Sequence, residues 1–137
     1  MKRLSDLFVL PLLCLFALTA GSASAQGIDI PRLASEPTLA DFAGMRPATP
    51  LASNMRKVDN FTQRQPNDGQ SATQATEVYL GYDNDNLYAV FLAFDAQPNQ
   101  IRANLSSREN IDGDDSVTLI VDTFNDQRSG YAFQTTP

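Results

Sequence analysis

The chain has 137 residues, with 16 Asp and Glu against 10 Lys and Arg, no His, no Trp and a single Cys. The absence of His removes His-based triads, His metal ligands and the commonest general base near neutral pH. The acidic balance, without any basic run, disfavours nucleic acid, whose phosphates call for clustered Lys and Arg.

The N-terminus reads as a secretion signal. Lys2 and Arg3 form a short positive end, residues 7–20 are mostly apolar, and Ala23-Ser24-Ala25 supplies the small-x-small pattern of a cleavage site before Gln26. The apolar run is shorter than the roughly 20 residues that span a bilayer. Cys14 lies inside that run, preceded by Pro11, Leu12 and Leu13, which is unlike a lipid-attachment site. Cleavage therefore leaves a chain without a thiol, a disulfide or a Cys nucleophile. It also removes Lys2, Arg3 and Asp6, leaving 15 acidic and 8 basic residues. Export to the periplasm, the outer membrane or the cell surface is the expectation.

Residues 26–58 read as a linker or loosely packed lead-in, punctuated by Pro31, Pro37, Pro47 and Pro50. A turn or two of helix is expected at residues 38–43, with Thr38 as its cap and Pro47 limiting its reach. Pro66-Asn67-Asp68-Gly69 predicts a tight turn, because Pro fixes φ and Gly accepts positive φ.

From Thr76 the apolar period becomes two. Val78, Leu80 and Tyr82 alternate with Glu77, Tyr79 and Gly81, predicting a strand. Asp83-Asn84-Asp85-Asn86 is a polar turn. Residues 87–94 are apolar on both faces; their length, aromatic content and flanking turns predict a second strand and hence a hairpin. Further strands are expected at residues 101–106, 116–124 and 131–136, separated by an acidic loop at 108–115 and a polar loop at 125–130. Short strands at this spacing argue for an antiparallel sandwich or barrel. The predicted class is all-β, a jelly-roll-like antiparallel β-sandwich over residues 59–137. About five strands are visible, fewer than the roughly seven of a typical sandwich, which predicts an incomplete sandwich that continues elsewhere.

Four segments in order carry a resemblance to a known family: F-x-Q-x-x-P-x-x-G from Phe61 to Gly69, T-E-V from Thr76, Y-D-x-D-x-L-Y from Tyr82 to Tyr88, and D-D-x-V-x-L-x-x-D-T-F from Asp114 to Phe124. Over residues 59–136 the chain resembles the family 9 carbohydrate-binding-like domain found at the N-terminus of large bacterial exported proteins, related to domains appended to xylanases. The resemblance implies a β-sandwich, polysaccharide or oligosaccharide as ligand, and a downstream region of the same full-length protein, similar to an outer-membrane β-barrel, as a partner. The family's Ile-Asp-Gly-like lead-in with a nearby Trp is replaced here by Pro37-Thr38-Leu39-Ala40-Asp41-Phe42.

Sugar sites stack aromatic rings on pyranose faces and hold hydroxyls with polar side chains. Tyr79, Tyr82, Tyr88 and Tyr131 are the available tyrosines. Tyr79, opposite Val78 and Leu80, is the ring expected to be most exposed; the plainer reading of all four is core or cross-strand packing. Arg108 with Asp114 and Asp115 suits a polar rim, or an ion pair in a solvated loop. The site expected from sequence is thus Tyr79, Arg108, Asp115 and Tyr131 for carbohydrate. A structural calcium is weighed at Asp112 and Asp114, since hard cations favour carboxylate oxygens and the resemblance raises that prospect. Asp122 is expected to cap the turn that follows it. No pair of carboxyls is singled out as the acid and base of a glycosidase, so a non-catalytic binding module is the leading reading. A docking module on a downstream barrel and a fragment of a xylanase-like O-glycosyl hydrolase are the alternatives.

Overall fold

The computed structural model describes residues 27–103 and 113–137, so the predicted leader, Arg108 and Asp112 lie outside the described residues. Among the described residues, five strands form two antiparallel sheets: β1 (Arg56–Val58), β2 (Thr76–Tyr82), β3 (Leu87–Ala93), β4 (Val117–Val121) and β5 (Tyr131–Thr135). The first sheet has the order β1-β2-β3 and the second pairs β4 with β5. The described part of the chain is all-β apart from one short helix, α1 (Pro50–Asn54), and two 3-10 turns, Leu39–Phe42 and Pro98–Gln100.

The β2–β3 hairpin forms where the period of two predicts it. Tyr82 pairs with Leu87 and Thr76 with Ala93. The connecting turn is held by Asp83, whose Oδ1 accepts from the backbone N–H groups of Asp85 and Asn86, both at 2.8 Å. This is the local self-bonding that favours Asp in turns.

The lead-in contributes core. Leu33, Phe42, Ala52 and Met55 are buried with Tyr79 and Leu92, and Tyr88, Val90 and Phe94 lie against them. The expectation of a loosely packed linker is corrected here: its polar and Pro-rich spacing hid four isolated apolar anchors. Asp41 ties the two short turns together. Its carboxylate accepts from the Thr38 N–H and hydroxyl and from the Thr49 hydroxyl, each at 2.8 Å. Thr38 occupies the predicted N-cap position, with its hydroxyl donating to Asp41. Thr49 caps α1 by accepting from Ala52 N–H, and Pro50 occupies the first helical position, where a missing N–H costs nothing.

The register places Lys57, Glu77, Tyr79, Gly81, Tyr88, Val90 and Leu92 on one face of the first sheet. The lead-in covers that face. Tyr79 is only 5% exposed, and its ring lies 5.1 Å from that of Phe42 at an interplanar angle of 56°. Leu33 sits directly on Gly81: a Cβ there would lie 2.6 Å from Leu33 Cδ1 and 2.8 Å from Cγ. Backbone bonds from Leu33 N–H to Tyr82 O at 2.7 Å and from Tyr82 N–H to Pro31 O at 3.1 Å fix this approach.

Two other expectations change. Residues 101–103 are not in a strand, and a 3-10 turn precedes them. The remainder of that predicted strand, 104–106, lies outside the described residues. β1 and α1 fall within the stretch read as linker. Three residues of strand and five of helix are too short to carry a periodic signal.

Gly81→Ala should destabilise the chain by about 1–3 kcal/mol through overpacking, because Leu33 is buried and tied by its backbone. Gly27→Ala, with nothing within 4 Å of the added carbon, should be near neutral. Urea unfolding midpoints of the two variants check this; equal midpoints would remove the close approach as a determinant.

Candidate functional site

The other face of β3, carrying Leu87, Ala89 and Phe91, lines a cleft of about 1260 Å³ together with Val117, Leu119, Val121, Tyr131 and Phe133 of the second sheet. These second-sheet residues share one face, since Val117, Leu119 and Val121 pair with Thr135, Phe133 and Tyr131. Strand β4 alternates half-buried and exposed residues, whereas every residue of β5 is exposed. A second cavity of about 500 Å³ gathers Ala93, Phe94 and Asp95 with Asp115, Val117 and Thr135. The Val117 and Thr135 end of the second sheet therefore lies by the end of β3. The Val121 and Tyr131 end lies by its start, near Asp85 and Asn86.

At that mouth, Tyr131 is 60% exposed, and Asp85, Asn86 and Thr123 line the same cleft. The loop that brings Tyr131 there is organised by Asp122. Its Oδ1 accepts from Phe124 N–H at 3.1 Å and from Asp126 N–H at 3.4 Å, and its Oδ2 from Gln127 N–H at 2.9 Å. These backbone donors, Gln127 first, hold its carboxyl below the usual carboxylate range. Asn125 and Gln127 adopt positive φ in this loop. The capping role expected of Asp122 is what the structure contains.

The sequence-predicted residues separate. Tyr79 is not an exposed ring, and that expectation is corrected. Alternation correctly sets it opposite Val78, but its own face is covered, because Phe42 and Leu33 arrive from the lead-in. Its hydroxyl donates to Glu77 Oε2 at 2.7 Å, and Glu77 Oε1 lies 2.6 Å from Lys57 Nζ, which also pairs with Asp59 at 3.3 Å. Burial first, then the bond to Glu77, push the Tyr79 hydroxyl up to about 12. Tyr88 is turned toward the core and donates to Asp83 Oδ2 at 2.7 Å. Tyr82 is partly exposed beside the turn where Arg32 donates to Asn84 Oδ1.

Asp115 does not reach Tyr131. It accepts from Arg102 N–H at 2.8 Å and returns a backbone bond to Arg102 O at 3.0 Å, near the Val117 and Thr135 end of the second sheet. Asp114 is half-buried, and among the described residues no cluster of three or more His, Cys, Asp or Glu is placed to hold a metal ion. Of the four expected carbohydrate residues, Tyr131 alone lines the main cleft among the described residues. Phe133, at 61% exposure, was missed. Its position two residues beyond Tyr131 on one strand face was the available signal.

No protein-family model, curated protein or solved structure matches this chain.

Tyr79 ties stability to alkaline pH. Its hydroxyl ionises near 10 when unfolded and near 12 when folded, so its stabilisation is intact below pH 10 and is lost as pH rises toward 12. Lys57, held above its ordinary value by Glu77, acts in the same direction. Urea midpoints of the parent should fall across that interval, and those of Tyr79→Phe should fall less. Parallel pH profiles would contradict the assignment.

Proposed function

We propose that the chain is a carbohydrate-binding module of an exported protein, built on an incomplete β-sandwich. The sandwich reading is supported by two antiparallel sheets that turn one face each to a common cleft. The observation that carries the sugar reading is Tyr131, an exposed ring at the cleft mouth lined also by Asp85 and Asn86. A ring offers a large flat area with little rotamer entropy to lose, and short polar side chains fix hydroxyls. Phe133 continues the aromatic strip along β5, about 7 Å away for an i, i+2 pair on a strand. Such a strip suits a linear polysaccharide or oligosaccharide better than a single monosaccharide. The likeness of the four sequence segments to family 9 carbohydrate-binding-like domains points the same way. The leader of residues 1–25 supports export to the periplasm or outer membrane.

A second reading is favoured by a separate observation. Tyr131 and Phe133 are 60% and 61% exposed on one face of the β4–β5 hairpin, and contiguous exposed apolar surface marks an interaction site. The hairpin would then dock a polypeptide, such as a further region of a longer chain.

Retention on xylan, cellulose and other glycans in affinity electrophoresis tests the sugar reading. The parent should be retarded on at least one polymer, and Tyr131→Ala should weaken binding by roughly tenfold, about 1.4 kcal/mol. No retardation on any glycan would end this reading. For export, the secreted product should begin at Gln26 by intact mass; an unprocessed N-terminus would contradict the leader.

A further inference from the structure

Resting on the docking reading, we infer that the edge of β5 left unpaired among the described residues accepts an extended polypeptide strand with alternating apolar residues and Lys or Arg at its ends. Three features of the cleft converge on that occupant.

The first is hydrogen bonding. β5 pairs with β4 alone, in a two-stranded sheet, and among the described residues no other backbone bond is made by Tyr131–Thr135. An edge of this kind presents a row of N–H and C=O groups that an added strand satisfies. A helix, whose backbone groups are bonded internally, cannot match that row.

The second is side-chain period. Tyr131, Phe133 and Thr135 point to the cleft face, where Leu119, Val121 and Phe91 also lie. A neighbouring strand sends every second side chain to that same face. Apolar residues at those positions would cover Phe133 and extend the floor of the cleft. The intervening residues would stand beside Ala132 and Gln134 and remain polar.

The third is charge. The charged residues among the described lining of the two cavities are Asp85, Asp95 and Asp115, and all are acidic. Asp85 marks the Tyr131 end and Asp95 with Asp115 the Thr135 end. A strand along β5 would therefore have its two ends near carboxylates, which favours cationic flanks. The same charge opposes a second copy of this acidic chain, which carries a net charge of −6.

The test uses the full chain and synthetic seven-residue peptides. One has Val at alternate positions, Thr between them and Lys at both ends; a second replaces Lys by Glu; a third is a scramble of the first that breaks the alternation. Amide hydrogen exchange of β5 and titration calorimetry are the readouts. The Lys-flanked peptide should protect alternate amides of Tyr131–Thr135, and the Glu-flanked peptide should bind several-fold more weakly. Phe133→Asp should abolish binding, whereas Ile120→Asp, on the opposite face, should not. Equal binding of the scramble would overturn strand addition while leaving docking in place. No binding by any peptide would overturn both. β5 amides already protected in the chain alone, with a dimer in sedimentation, would assign the edge to a second copy and overturn the proposal. The peptide series on the unaltered chain decides the matter even where Phe133→Asp fails to fold.

Discussion

The contact between the lead-in and one face of the first sheet governs the rest of the structure. Leu33 on Gly81 and Phe42 on Tyr79 commit that face to the core. The pleat alternates sides strictly, so this commitment also decides what the other face shows. Leu87, Ala89 and Phe91 are thereby turned toward the second sheet and the cleft. The cleft is a consequence of the lead-in, although no lead-in residue lines its main cavity.

Polar side chains position the pieces around this apolar contact. Asp41 joins two turns of the lead-in, Asp83 shapes the β2–β3 turn, and Asp122 organises the loop before β5. Each accepts several hydrogen bonds from nearby donors, so each carboxylate is held charged below its ordinary range. Much of the chain's acidity is thus spent on building turns. The carboxylates that border the cleft are fewer, and they set its electrostatic character.

Strands β2 to β5 were legible because their period of two and their turn residues agree, whereas the same period misled at residues 101–103. Both flanks of the β2–β3 hairpin, its Asp83 turn and the Asp122 cap followed from local chemistry. The lead-in was not legible. Leu33, Phe42, Ala52 and Met55 are separated by polar and Pro-rich residues, so their convergence depends on tertiary contacts that no local pattern reports. The same gap misplaced Tyr79. Alternation identified its face correctly, but exposure depends on what covers that face. Tyr131 was legible as an aromatic at a strand start, whereas Phe133 required knowing that β5 is exposed along its length among the described residues.

The Leu33 and Gly81 contact also bears on how such a sequence can change over time. Neither position can drift alone: a side chain at 81 requires a smaller residue at 33, and a bulkier residue at 33 leaves less room above 81. Forty-eight positions apart in the chain, the two should behave as a covarying pair. A segment that composition marks as dispensable is therefore under as much packing constraint as the strand beneath it.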